Sequence, residues 1–89
     1  MLENLWIQEG GNPGEAFIAA EVARAESGGN PGAVSPTADY GLWQINVSHG
    51  WQASTDPVVN ARAAIAISGD GTNWSPWTTY TSGRYAGQC

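Results

Sequence analysis

Two carboxylic acids in this chain stand in settings that suit proton chemistry. Glu26 closes an alanine-rich, helix-forming stretch, Glu15 to Ser27, which Gly28-Gly29 stops and Asn30-Pro31 keeps from resuming. At about 100° per residue it lies beside Val22, on the edge of the apolar face made by Ile18, Val22 and Ala25. Partial desolvation and the negative end of a helix both raise the pKa of a carboxyl placed there. Asp39 comes 13 residues later, ahead of a stretch rich in aromatic and amide side chains, Tyr40-Gly41-Leu42-Trp43-Gln44-Ile45-Asn46. Cleavage of a glycosidic bond uses such a set. One protonated carboxyl gives its proton to the leaving oxygen, while a second, ionised one stabilises or attacks the anomeric carbon or positions a water. Trp and Tyr suit the apolar faces of sugars, and Gln and Asn suit their hydroxyl and acetamido edges.

The candidate sugar contacts are Tyr40, Trp43, Gln44 and Asn46, joined by Trp77 and Tyr80, which share a face at i, i+3. Gln44 follows an apolar residue in a stretch that reads as alternating, which points its amide to the cleft side, with Asn46 alongside. Each candidate also has a plainer role. Asp39 suits a turn, since Asp bonds nearby backbone readily. Trp43, Trp51, Trp74 and Trp77 suit the core, and at least two of them must be there in so short a chain. Ser27 has no nearby His, which excludes a serine hydrolase and leaves it to fix the helix end. His49 is the lone histidine, reads as a surface residue, and has no partners for a metal site. Glu3, Glu9, Glu15 and Glu21 read as solvating charges, Asp56 as a helix cap, Asp70 as a turn former and Cys89 as a frayed end.

The elements that hold these residues are short. Leu2 to Glu9 is predicted as a helix with Leu2, Leu5 and Trp6 on one face, broken by Gly10-Gly11-Asn12-Pro13-Gly14. Asn30 to Gly50 reads as loop with a short hairpin, anchored by Leu42, Trp43, Ile45 and Val47. Asp56 caps and Pro57 opens a helix over Val58 to Ser68, stopped by Gly69. With Val59, Ala63, Ala66 and Ile67 among other apolar residues, that helix is expected at the centre. Trp74 to Tyr85 closes the chain, with a helical turn near Pro76. The expected class is α+β, mainly α, with a central buried helix and a short hairpin, in one domain over residues 1–89.

Composition narrows the function classes. The 89 residues carry a formal charge of -5, with three Lys+Arg against eight Asp+Glu, which argues against nucleic acid. A hydrophobic fraction of 42%, with five Trp and three Tyr, argues for a folded chain. One cysteine allows no internal disulfide and no zinc site of several cysteines. No apolar run is long enough to span a membrane. Leu2 to Glu9 lacks the basic start and apolar middle of a signal peptide. No cofactor or metal is implied. Met1 and Cys89 suit a piece of a larger protein.

At the residues that carry the chemistry, the chain resembles the lysozyme superfamily. Glu26-Ser27-Gly28-Gly29-Asn30-Pro31 is similar to the E-S-G-G-N-P signature of transglycosylase-type domains, also met in phage and actinobacterial muralytic domains. Gly41-Leu42-Trp43-Gln44-Ile45-Asn46 resembles the second motif of that family. Thr37-Ala38-Asp39-Tyr40-Gly41 is similar to the S-T-D-Y-G of animal-type lysozymes. Asp56 to Ala64 resembles the central N-x-x-A-A helix, and Trp74-Ser75-Pro76-Trp77-Thr78-Thr79-Tyr80 resembles the family's W-s-p-W-x-x-Y close. The ordered set covers nearly the whole chain. It implies a minimal lysozyme-like fold and cleavage of the β-1,4 bond between N-acetylmuramic acid and N-acetylglucosamine in peptidoglycan. It gives Glu26 the role of general acid and Asp39 that of second carboxylate. It implies action at the bacterial wall, within a phage virion or tail, an endolysin or a secreted protein, with further domains of a parent protein as partners. The A-Y-N-x-G motif of transglycosylases is absent, Thr79-Tyr80-Thr81-Ser82-Gly83 being a loose echo. The interval from Glu26 to Asp39 is shorter than in animal lysozymes, so the hairpin must be abbreviated. A lytic transglycosylase, or a glycan-binding domain without turnover, are the alternatives.

Overall fold

The computed structural model of the protein describes residues 2–83, with the side chains of Trp51, Thr78 and Thr79 outside that description. Tyr85 and Cys89 therefore lie outside the described residues. The chain is α+β and mainly helical. Its elements are α1 (Leu2–Gln8), α2 (Ala16–Ser27), a hairpin of β1 (Asp39–Tyr40) and β2 (Ile45–Asn46), α3 (Pro57–Ile67) and α4 (Thr78–Thr81). 3₁₀ turns at Pro13–Glu15 and over Val47–Gln52, the latter kinked at Gly50, lead into α2 and out of β2.

The helix ends follow the sequence signals. Asn12 accepts from the Gly14 N–H and starts the 3₁₀ turn that feeds α2. Gly28, at φ +66°, closes α2 in the left-handed conformation, and its N–H returns to the Arg24 carbonyl. Ser27 fixes the same end, its hydroxyl donating to the Ala23 carbonyl at 2.9 Å. Asp56 accepts from the Val58 and Val59 N–H groups, with Pro57 at the first helical position of α3.

Burial of α3 is narrower than its apolar sequence suggests. Asn60, Ala61, Ala63 and Ala64 are buried, but Arg62 and Ala66 face solvent. Alanine forms helices well and exposes little apolar surface, so a helix rich in it need not be enveloped on every side.

Four tryptophans form the centre. Trp6 lies 6.2 Å from Trp43 and 5.5 Å from Trp74 by ring centroid, and Trp74 lies 4.9 Å from Trp77. All are buried, among the alanines of α2 and α3. Each aromatic side chain removes roughly 150–250 Å² from water, on the order of 4–6 kcal/mol before entropic losses. Three of the indole N–H groups are satisfied by backbone carbonyls, Trp6 by Asn12, Trp43 by Ala19 and Trp77 by Trp43. A core of this kind uses few large side chains where a longer chain uses many aliphatic ones.

Three of the acids expected to be merely solvated have structural places. Glu3 pairs with Arg24 at 3.4 Å and Glu9 with Arg62 at 2.8 Å. These pairs link α1 to α2 and the end of α1 to α3, each contributing up to about 1 kcal/mol. Glu21 is buried at 6% exposure, because the apolar run around it on α2 is covered on more than one side.

Candidate active site

A pocket of about 240 Å³ is lined by Glu26, Asp39, Gln44, Ile45, Asn46, His49, Ile67, Pro76 and Trp77. It joins the last turn of α2, the hairpin, the 3₁₀ turn after it, the end of α3 and the approach to α4. Both carboxyls proposed for the chemistry line it.

Glu26 is half-buried in the last turn of α2. The left-handed cap at Gly28 ends the helix directly beyond it, so the carboxyl is presented at the helix end where the chain turns away.

Asp39 is held by its own loop. Its Oδ2 accepts from the hydroxyls of Ser35, at 2.8 Å, and Thr37, at 2.6 Å, and its Oδ1 accepts from the Asn46 amide at 2.8 Å. The Asp39 N–H returns to the Ser35 hydroxyl oxygen. Burial alone disfavours the charged carboxyl, but the hydrogen bonds from Thr37, Asn46 and Ser35 outweigh it and hold Asp39 below the ordinary carboxylate range. Asp39 is thus an anion at neutral pH.

The hairpin turn brings in the amides. Asp39 pairs with Asn46 and Tyr40 with Ile45, and Val34 bridges to Tyr40 from the other side. Asn46 lines the pocket and donates to Asp39 and to the Thr37 carbonyl, while its oxygen caps the following turn at Ser48. Gln44 also lines the pocket, but not through strand alternation. It sits in the turn at φ +50°, and its amide group donates to the Ala33 and Gly41 carbonyls. With its hydrogens engaged in the loop, what Gln44 can offer a sugar is its carbonyl oxygen. Ala38, at φ +62°, is a second non-glycine residue in the left-handed region on this hairpin. Such positions cost about 1 kcal/mol each and gather at functional sites.

Behind the turn stands Asn60, fully buried on α3. It accepts from the Trp43 N–H at 2.7 Å and donates to the carbonyls of Tyr40, at 2.7 Å, and Ser54, at 2.8 Å. Gly41, at φ +80°, must be glycine for this clamp. A Cβ there would lie 2.8 Å from the Ser54 carbonyl oxygen and closer still to the Asn60 amide.

The aromatic candidates are placed differently from the reading of the sequence. Trp43 is fully buried, its indole bound to the Ala19 carbonyl, and does not line the pocket. The energetic gain from covering an indole in a small core takes precedence there. Trp77 is also core, at 5% exposure, but contributes an edge to the pocket. Tyr40 and Tyr80 are half-buried and do not line the pocket, Tyr80 packing against the core instead. The pocket also contains a residue that sequence reasoning set aside, His49. Nothing in its local sequence marks it, although it stands only three residues beyond Asn46.

A family model described as a lysozyme-like domain matches residues 3–79, most of the chain. The chain belongs to the lysozyme-like domain family. No curated protein and no solved structure matches it. The match runs from α1 to the start of α4 and includes every residue lining the pocket. The family is one of peptidoglycan-acting lysozyme-like and transglycosylase domains, which places the action of this chain at the cell wall. Among the described residues no helix is long and apolar enough to cross a membrane.

Proposed function

We propose that this domain is a muramidase, cleaving the β-1,4 bond between N-acetylmuramic acid and N-acetylglucosamine. The observation that carries the reading is the shared pocket of Glu26 and Asp39, with Asp39 held as an anion by three donors. Two carboxyls in one pocket, one ionised and one at a half-buried helix end, can divide the work of acid and charge stabiliser. Glu26 protonates the glycosidic oxygen as the bond to the anomeric carbon breaks. Asp39 stabilises the positive charge that develops on the sugar ring. Water then adds to the anomeric carbon and returns a proton to Glu26. Gln44 and the Trp77 edge hold the sugar, the first through its carbonyl oxygen.

One observation favours a second reading. Both oxygens of Asp39 are engaged in holding its own loop, which suits a structural part for that residue. Glu26 would then act alone, and the 6-hydroxyl of the muramic acid unit would attack in place of water. That is the chemistry of a lytic transglycosylase.

Mass spectrometry of the released muropeptides separates the two, since hydrolysis leaves a reducing end and transglycosylation a 1,6-anhydro end. Glu26→Gln is the control. It should abolish release of fragments with the thermal unfolding curve little changed, and retained lysis would refute either enzyme. Binding to wall sacculi with no fragments released by the unaltered protein would indicate a glycan-binding domain. The net charge of -5 opposes approach to an anionic wall, so we further propose that the domain works beside a separate wall-binding module, as in a phage or secreted muralytic protein.

A further inference from the structure

We infer that His49 is a specificity-determining residue of this pocket, whose imidazole recognises a carboxylate on the glycan. The candidates for that carboxylate are the lactyl ether of a muramic acid unit and the peptide attached to it. The inference rests on the reading that the pocket holds peptidoglycan.

Three observations lead to it. His49 lines the pocket and is exposed there. Among the described residues no hydrogen bond or ion pair engages its side chain, although nearly every other polar group around the pocket is committed to holding the loop. Finally, among the described residues that line the pocket it is the one that can carry a positive charge. Arg24 and Arg62 are drawn to Glu3 and Glu9, away from the pocket.

The placement of His49 is built in. The turn that carries it starts from Asn46, which accepts from the Ser48 N–H and donates to the Asp39 carboxylate. The turn that carries His49 is thus tied, through one amide, to the anionic side of the site. Among the described residues that line the pocket with His49, the ionisable groups are Glu26 from α2 and Asp39 from β1, while Ile67, Pro76 and Trp77 bring none. Asp39 already accepts three hydrogen bonds, so it competes poorly for a fourth donor. A neutral sugar offers a cation here no charge to pair with. A glycan bearing carboxylates offers one, since an imidazole N–H donates to a carboxylate oxygen and a charged donor strengthens that bond. In a pocket with two acids, such a residue offsets the repulsion that an anionic substrate would otherwise meet.

The test uses the Glu26→Gln protein, which leaves ligands intact, with and without His49→Gln. Calorimetric titration is run with a neutral chito-oligosaccharide, a muramic acid glycan free of peptide, and a peptide-bearing muropeptide. The expected result is a loss of roughly two- to fivefold in affinity for one or both carboxylate ligands, and none for the chito-oligosaccharide. That loss should shrink as added salt screens the pair. Loss with the peptide-free glycan identifies the lactyl carboxylate, and loss with the muropeptide alone identifies the peptide. Equal loss for all three ligands, or no loss for any, overturns the assignment of His49. If the Glu26→Gln protein binds none of the ligands, the reading of the pocket itself is what fails.

Discussion

Replacing Asn60 should destabilise this protein more than replacing any polar residue that lines the pocket. Asn60 is fully buried and makes three hydrogen bonds, to the Trp43 N–H and to the Tyr40 and Ser54 carbonyls. Asn60→Ala orphans all three backbone groups at once. Each buried, unsatisfied group costs about 1–3 kcal/mol. The vacated space can admit one water, which recovers part of that. A net loss of roughly 3–5 kcal/mol is expected, against a total stability of roughly 4–13 kcal/mol for a chain of this length. Urea unfolding followed by tryptophan fluorescence measures it, since four of the indoles lie in one buried cluster.

Asn60→Asp separates the hydrogen-bond explanation from a simple cavity. The new carboxyl keeps the acceptor for Trp43 but loses both donors and, when ionised, faces two carbonyl oxygens. Its pKa in the folded protein must therefore rise above the unfolded value of about 3.9. The folded state then binds more protons than the unfolded state just above that pH, so the variant loses stability as pH rises and regains it on acidification. A loss under about 1 kcal/mol in Asn60→Ala, together with no pH dependence specific to Asn60→Asp, would refute the clamp.

Asp39 gives the opposite sign. Its folded pKa is depressed, so it contributes stability above about pH 3.9 that disappears as pH falls through the folded value. Asp39→Asn should therefore differ most from the unaltered protein in urea unfolding near neutrality and least in strong acid, and a constant difference would count against the three donors as the cause. Lysis of intact walls should increase as salt shortens the screening length from about 30 Å to about 8 Å, because the domain and the wall are both anionic. Turnover of a soluble neutral oligosaccharide should not change, and a fall in wall lysis over that range would show that repulsion is not limiting.

The helices were legible because their signals are local. Asp56-Pro57 and Gly28-Gly29 act within a turn of their own positions, and both lie where the helices begin and end. The sequence also singled out Glu26 and Asp39 together, and the two line one pocket. Gln44 reached the pocket for a different reason from the one its sequence suggested. The chain from Gly41 to Gln44 is a turn rather than a strand, so period-two alternation does not apply. Asn60 was visible only as the Asn of the N-x-x-A-A resemblance, which does not say what its side chain binds. His49 gave no signal, because its neighbours in the pocket come from four other segments of the chain.

Trp43 shows why aromatic residues are the hardest to assign in so small a domain. Its indole N–H bonds to Ala19 on α2, its backbone N–H to Asn60 on α3, and its carbonyl accepts from Trp77 ahead of α4. One residue thus ties the helix that carries Glu26, the turn that carries Gln44, and the segment that closes the pocket. An indole facing a sugar and an indole in this junction require the same flat apolar surface and single donor, so residue type alone does not separate them. The geometry does. A domain with few core positions gains more by fixing three elements at one large side chain than by adding another sugar contact. The distance between acid and substrate loop is then set from inside the core. On the proposed function, sugar recognition falls to smaller polar groups at the rim, of which Gln44 and His49 are the two with chemistry still to offer.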